Sequence, residues 1–166
     1  EGQTHTYTWK FKLPVGFQCT RNFCHIHQIK GYGVDDVSKP VITYCPRNKN
    51  GKTTLQLIHY ASLKYGNNVE TYPAEVPLEP FIGSWVMATE KITYGHHGRY
   101  EMKIVRLCDG KVLMQYSNND MDLWREGMTV GRPKYGIYRY FGDYGAIKDQ
   151  MRDESLLFTD FTLKEE

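Results

Sequence analysis

Short runs of alternating apolar and polar residues recur along this chain, and turn signals separate them. From His5 to Leu13 the odd positions are aromatic, histidine or leucine, and the even positions are threonine or lysine. This period of two is typical of a half-buried strand. Helical periodicity is confined to a possible short turn near residues 147–152. The runs that predict strands are His5–Leu13, Phe23–Lys30, Val41–Cys45, Thr53–Tyr60, Trp85–Tyr94, Tyr100–Leu107, Val112–Tyr116, Tyr135–Tyr140 and Leu156–Leu163. About nine short strands at this spacing predict an all-β fold, a jelly roll or sandwich of two antiparallel sheets.

The length of the chain fits one domain. At 166 residues it can bury a core without metals or many disulfides, so we expect a single domain over residues 1–166. Turn signals lie at 48–51, 95–98 and 109–110, and Asp35 and Asp36 predict an acidic turn. The stretch Thr71–Pro80 contains three prolines and is interpreted as a loop that crosses between the sheets.

Composition narrows the classes of partner. A net charge of +2 argues against a strongly electrostatic nucleic-acid binder. No apolar run is long enough to predict a membrane span. Thirteen tyrosines raise the expectation of a carbohydrate site, since tyrosine lines grooves that hold sugar rings. Glycine-rich phosphate loops, zinc-protease motifs and serine-hydrolase motifs are missing.

The four cysteines leave the redox state open. They permit three full pairings, and Cys19 and Cys24 bracket a short polar turn where a local disulfide is plausible. The alternative is four reduced thiols in a cytosolic β protein. We expect a secreted, extracellular protein.

One predicted strand carries a cation and a phenol on the same face. In the segment Arg132-Pro-Lys-Tyr-Gly-Ile-Tyr-Arg139 the alternation places Lys134, Gly136 and Tyr138 together. A negatively charged polymer can approach the backbone at the glycine, pair with the lysine and reach the phenolic oxygen.

A second predicted strand is equally polar. In Phe23–Lys30 the alternation places Gln28 and Lys30 on one face and both His25 and His27 on the other. The polar residues of the predicted strands are thus histidine, glutamine, lysine, arginine and tyrosine, whereas the acidic residues lie mostly in turns. That inventory suits an acidic substrate whose charge must be held and neutralised.

These residue types fit the β-elimination of a uronic-acid polysaccharide. The C5 proton of a uronate becomes acidic when its carboxylate is neutralised, which Gln28 with Lys30 or a histidine can do. A base must then take the C5 proton while an acid protonates the leaving glycosidic oxygen. Tyr138 can do both in a syn elimination, and Lys134 or Arg139 would lower the pKa of its phenol. The reaction requires no metal or organic cofactor.

The chain resembles the jelly-roll polysaccharide lyases, which have a concanavalin-like sandwich. It is most similar to the fungal glucuronan lyases of polysaccharide lyase family 20, with heparin lyase I and the alginate lyases more distant. The stretches that carry the resemblance are Trp9–Pro14, His25–Lys30, Pro40–Thr43, Asp122–Arg125 and Arg132–Arg139. The Lys-x-Gly-x-Tyr pattern of alginate lyases is matched by Lys134, Gly136 and Tyr138, which implies that Tyr138 is the catalytic tyrosine. Gln28 and Lys30 fall where those enzymes carry Gln-x-His, so the histidine is replaced.

The resemblance also implies departures and partners. Relatives have further upstream strands with a catalytic histidine or arginine, so we expect a fragment or a reduced version, with His25 or His27 as a substitute. A structural calcium is implied by the same resemblance. The expected partner is an acidic polysaccharide, with no nucleic acid, no membrane and a monomeric protein. The candidate catalytic residues are Tyr138, Gln28 and His27, and the candidate substrate-binding residues are Lys30, His25, Lys134, Arg125, Arg132 and Arg139.

Simpler interpretations stand beside these. At least one of the two strand histidines can be a satisfied core residue, Tyr138 can be a packing tyrosine, and the cations can be edge-strand charges. His96 and His97 lie in a glycine turn where a metal site is an unfavoured alternative. At the level of function, the alternatives are a non-catalytic jelly-roll module that binds acidic glycans and a structural domain without glycan preference.

Overall fold

The computed structural model describes residues 1–33, 39–62, 69–142 and 144–166. The acidic turn predicted at Asp35 and Asp36 lies outside these ranges. The strands are β1 (Thr4–Lys12), β2 (Cys24–Tyr32), β3 (Ile42–Lys49), β4 (Lys52–Tyr60), β5 (Glu70–Pro77), β6 (Trp85–Thr93), β7 (Gly98–Arg106), β8 (Val112–Met121), β9 (Val130–Arg139) and β10 (Leu157–Glu165). Short 3₁₀ turns at Glu79–Phe81 and Lys148–Gln150 and one α-helical turn, α1 (Tyr144–Ile147), complete the described elements.

The ten strands form two antiparallel sheets of five. The first has the order β10-β1-β6-β7-β8 and the second the order β5-β4-β3-β2-β9. The inward side chains of both sheets make one large apolar core, in which Trp9, Tyr44 and Tyr100 are buried. The predicted jelly-roll sandwich is therefore confirmed, with all nine predicted strands present.

The segment predicted to be a crossing loop is a strand. Residues 70–77 pair with β4 as β5, at the edge of the second sheet. An edge strand tolerates Pro73 and Pro77 because one side of its backbone needs no hydrogen-bond donor. The prediction for Thr71–Pro80 is wrong because proline breaks a strand only where its missing N–H would be needed for pairing, which an edge strand avoids on one side.

Two central strands of the second sheet bury side chains on both of their faces. Strands β2 and β4 are buried almost continuously, unlike β1 and β6, whose burial alternates. On the outer face Cys45, Ile58 and Tyr60 form a small apolar cluster against which Phe23 packs. Polar side chains buried on this face, away from the main core, mark it as the place to look for a site.

All four cysteines are free thiols, so the local disulfide considered between Cys19 and Cys24 is not formed. Three are buried, and the backbone N–H of Cys24 donates to Cys45 Sγ at 3.3 Å. Burial is the main cause that raises the pKa of the Cys24 thiol to about 12. Within the described residues no helix has the length and apolar character needed to cross a bilayer.

Candidate active site

The two polar strands singled out in the sequence are neighbours. Strand β2 pairs with β9 in antiparallel register, although β9 is more than a hundred residues further along the chain. The cross-strand partners are Gln28 with Lys134, Lys30 with Arg132, and His25 with Tyr138. Directly opposed residues share a face of a sheet, so the register assembles an amide, cations, an imidazole and a phenol.

A β-bulge at Gly136 shifts this register. Between the His25 and His27 pairings, a single residue of β2 lies opposite two residues of β9, Gly136 and Ile137. Gly136 has a φ of 138°, a conformation that favours glycine. An added Cβ there would meet no heavy atom within 4 Å, so the backbone is open to a ligand.

The bulge also corrects the predicted facing of the histidines. The alternation predicted His25 and His27 on one face and Gln28 on the other. In the structure Gln28 Nε2 lies 2.5 Å from His25 Nδ1, whereas His27 packs in the core between the sheets. The register shift between the two histidines is the physical reason, because a bulge changes which residues share a face.

Gln28 and Tyr138 line the same pocket. Its volume is about 250 Å³, and its wall is formed by segments 25–28 and 134–138 together with Lys30. The Tyr138 side chain is exposed and Gln28 is nearly buried. A phenol open to solvent and an amide held in the wall are the arrangement that a catalytic tyrosine and a carboxylate-binding amide require.

His25 links these two groups. Its ring stacks on Phe23 with centroids 4.5 Å apart and meets the Tyr138 ring edge-on at 5.9 Å. Burial, followed by the positive charges of Arg47, Lys39 and Lys30, lowers the pKa of His25 to about 4. The imidazole is therefore neutral near neutral pH, and it cannot supply the positive charge that a uronate carboxylate needs.

The positive charge at the pocket comes from lysine and arginine. Partial burial lowers the pKa of Lys30, and the neighbouring Lys134 and Arg132 lower it further. Arg132 also stacks on the Tyr32 ring, with its guanidinium carbon 4.5 Å from the centroid. Three cations that repel one another in the free protein are stabilised by a bound polyanion.

His27 does not contact the pocket with its imidazole. The side chain is 1% exposed, and its Nε2 lies 2.9 Å from the buried Glu90 carboxylate. Its Nδ1 donates to the Lys134 carbonyl oxygen at 3.1 Å. The structure thus places the side chain of His27, a predicted catalytic residue, on the core face, where its ring nitrogens contact Glu90 and the backbone of β9.

Two predicted substrate contacts also lie elsewhere. Arg125 is fully buried and donates to the backbone carbonyl oxygens of Tyr60, Pro40 and Trp124. Arg139 donates to the backbone carbonyl oxygen of Arg152 at 2.9 Å. Arg125 thus bridges three backbone segments by hydrogen bonds, and Arg139 links the end of β9 to residue 152. Neither side chain lies in this pocket, so neither is placed to bind a sugar there.

The described residues contain no cluster of typical metal-binding side chains. They contain no group of three or more histidine, cysteine or carboxylate side chains that could hold an ion. His96 and His97 each pair with an aspartate, Asp122 and Asp120 respectively, at 2.8 Å. The structural calcium implied by the resemblance stays a prediction, because calcium also binds backbone carbonyl oxygens and water.

Sequence reasoning missed two residues that shape the site. Phe23 underlies both His25 and Tyr138, and no pattern in the sequence distinguishes it from an ordinary core residue. Glu90 lies in β6 at an inward position between buried Ala88 and Ile92. An acid at an apolar position of an alternating strand is a signal that a buried partner exists, and it was present in the sequence.

Comparison with solved structures supports the fold. A glucuronan lyase from the fungus Trichoderma reesei superposes with a TM-score of 0.61 at 14% identity, over 98% of this chain and 68% of that chain. An alginate lyase from Pseudomonas aeruginosa superposes with a TM-score of 0.55 at 12% identity, over 99% of this chain and 66% of that one. An alginate lyase from a Chlorella virus gives a TM-score of 0.53 at 13% identity, over 100% and 72% of the two chains.

Other comparisons give no match. No family model matches the chain, and no curated protein matches it by sequence. The chain spans about two thirds of the length of the three neighbours above. At these identities the likeness concerns architecture. The chain has the jelly-roll fold of the polysaccharide lyases.

Proposed function

We propose that this protein is a polysaccharide lyase that cleaves an acidic uronic-acid polymer, glucuronan-like, by β-elimination. The observation that carries the proposal is the convergence of Gln28 and Tyr138 on one pocket bordered by Lys30 and Lys134. Each of these residue types has a necessary task in the reaction, and none of them requires a metal or an organic cofactor.

The amide and the cations act on the substrate carboxylate. When the C5 proton leaves, negative charge spreads into the carboxylate as an enolate-like intermediate forms. An N–H of Gln28 and the ammonium groups of Lys30 and Lys134 would stabilise that charge, because they are already in place in a partly desolvated wall. Arg132, opposite Lys30 in the sheet, would hold the carboxylate of a neighbouring sugar.

The phenol carries out the proton transfers. Tyr138 lies opposite His25 in the sheet, is 60% exposed and lines the pocket. As phenolate it would accept the C5 proton, and as phenol it would return a proton to the departing O4. Both positions lie on the same face of a glucuronate ring, so one residue suffices. Because Gly136 has no side chain, the sugar ring of the substrate has room to lie close to the backbone.

Glucuronan specificity, secretion, a monomeric state and the absence of nucleic-acid or membrane partners are part of this proposal. The neighbours named for glucuronan and alginate support an acidic polysaccharide as the substrate class.

The test is an elimination assay on a panel of polymers. Polyglucuronate, polymannuronate, polyguluronate and a heparin-type glycan are incubated with the protein, and ultraviolet absorbance of the 4,5-unsaturated uronate is followed. We expect absorbance to rise with at least one polymer, fastest with polyglucuronate. Tyr138→Phe should slow that rise by about 10²–10⁴-fold, which is the range for loss of a general acid–base group.

The matched control is Tyr140→Phe, which removes a hydroxyl from an exposed tyrosine directly after the same strand. It should leave the rate unchanged. Saturable binding of these polymers with no absorbance from the wild-type protein would instead identify a non-catalytic carbohydrate-binding module. Absence of both binding and absorbance would contradict either glycan function.

A further inference from the structure

We propose that His25 is a positioning residue that orients the side-chain amide of Gln28 so that it presents an N–H to the ligand carboxylate. This inference rests on the proposed function of Gln28. It concerns a residue that lies three positions before the glutamine and whose side chain the alternation placed on the opposite face.

The hydrogen bond between the two side chains fixes the roles of their atoms. Gln28 Nε2 lies 2.5 Å from His25 Nδ1. An amide nitrogen only donates, so the imidazole Nδ1 accepts and the ring hydrogen is on Nε2. The neutral charge state is consistent with the burial of the ring and with the positive charges of Arg47, Lys39 and Lys30 around it. The Nε2 atom that carries the ring hydrogen is buried and has no hydrogen-bond partner among the described residues.

The imidazole is itself held firmly. His25 is 5% exposed, stacks on Phe23, and meets Tyr138 edge-on across the strand pair. Phe23 in turn contacts the Tyr138 ring at 5.2 Å between centroids. These three rings form one packed unit, so the acceptor offered to Gln28 has a defined position relative to the phenol.

The consequence is a choice between two amide orientations. With one N–H engaged by His25, the second N–H of Gln28 remains for a ligand in the pocket that both residues line. Without this acceptor the amide can turn by half a rotation and present its carbonyl oxygen, which repels a carboxylate. His25 thus selects the donating orientation without touching the substrate.

The test uses three substitutions at one position. His25→Asn places a carbonyl oxygen near the position of Nδ1, whereas His25→Gln places its amide near that of Nε2, and His25→Leu provides no acceptor. We expect the Leu and Gln variants to lose about tenfold to 10²-fold in kcat, less than the 10²–10³-fold for deleting a donor outright. The Asn variant should recover most of the rate. KM should change less than kcat, because the orientation matters most as charge develops on the carboxylate.

A second readout does not depend on activity. In ¹⁵N-labelled protein, His25 Nδ1 should give the signal of an unprotonated nitrogen, and the Gln28 side-chain amide hydrogens should exchange slowly. Slow exchange should persist in His25→Asn and disappear in His25→Leu. Circular dichroism confirms that each variant is folded.

The outcomes separate the two proposals. A protonated Nδ1 in the wild-type protein, or an active enzyme whose His25→Leu variant keeps the wild-type kcat, would overturn the positioning role. A wild-type protein that eliminates none of the polymers would refute the proposed function, while the nitrogen and amide signals still decide whether His25 orients Gln28.

Discussion

The buried pair of His27 and Glu90 should make a large contribution to stability. Both side chains are sealed between the sheets, with exposed fractions of 1% and 0%, and their nearest atoms are 2.9 Å apart. The other Glu90 oxygen accepts from the Tyr100 hydroxyl, and His27 Nδ1 donates to the Lys134 carbonyl oxygen. Removing one member of such a buried pair leaves the other without its partner, which costs about 3–5 kcal/mol.

Two substitutions of Glu90 separate charge from shape. In Glu90→Leu the carboxylate partner of His27 Nε2 and of the Tyr100 hydroxyl is lost, so we expect the free energy of unfolding to fall by about 3–5 kcal/mol. In Glu90→Gln the side chain keeps its shape, and its amide can still form hydrogen bonds with His27 Nε2 and the Tyr100 hydroxyl. The loss should therefore be smaller in Glu90→Gln than in Glu90→Leu. Urea denaturation followed by circular dichroism measures both, with Asp160→Asn as the control.

The control removes a carboxylate from an exposed ion pair. Asp160 lies 2.5 Å from Lys10 at the surface, and asparagine tolerates its φ of 55°. We expect little change in stability there, because solvent screens the pair.

A double substitution completes the test. His27→Phe fits among the rings of Trp9, Tyr44 and Tyr135, so His27→Phe with Glu90→Leu replaces the hydrogen-bonded pair by apolar groups. The double variant should be more stable than the sum of the single losses predicts, by about 0.5–3 kcal/mol. Additive losses, or a Glu90→Leu variant as stable as the wild-type protein, would refute the reasoning.

Three further predictions follow from single residues. The pKa of His25 is about 6.5 in the unfolded chain and about 4 in the folded protein. As the pH falls from 6.5 to 4, only the unfolded chain gains this proton, so the free energy of unfolding should fall by about 3 kcal/mol. Denaturation measured across this pH range checks the loss. His25→Asn should lack this loss, and an unchanged pH profile in that variant would contradict it. Gly136→Ala should cost about 1–3 kcal/mol through its positive φ and should also slow elimination, whereas Gly51→Ala should affect stability alone. A thiol reagent should modify Cys108 in the native protein and all four cysteines after denaturation; rapid reaction of a second native thiol would contradict the described burial.

The fold could be predicted from the sequence because its strands alternate and its turns carry strong local signals. Asn50 and Gly51 adopt positive φ values in the tight turn between β3 and β4, as the turn signal at 48–51 indicates. The strand β5 could not be predicted because its prolines argue against a strand wherever both sides of the backbone must pair. Only an edge position removes that objection. Such a position is set by the whole sheet and is not encoded locally.

The candidate site was only partly predictable for a similar reason. Gln28, Lys30, Lys134 and Tyr138 line one pocket because plain alternation places them on one face of adjacent strands. The facing of His25 depends on a bulge, and a bulge depends on how two distant strands register. A one-residue shift reverses the face of every residue beyond it. The alternation within a single strand does not reveal such a shift.

The burial of His27 and Arg125 shows the remaining limit. Both are polar residue types that serve binding sites as readily as they serve interiors, and the sequence offers no sign of the partner. For His27 the partner is a carboxylate on the opposite sheet, and for Arg125 it is a set of backbone carbonyl oxygens. Partners of this kind are fixed by tertiary packing.

The central claim is that Gln28 and Tyr138 act on the same uronate unit in one transition state. The most direct measurement is a double-mutant cycle on the elimination rate, with Gln28→Leu, Tyr138→Phe and the combined variant. Residues that act as a unit give strongly non-additive losses. The account predicts that the combined variant is hardly slower than the slower single variant; losses that multiply would contradict it.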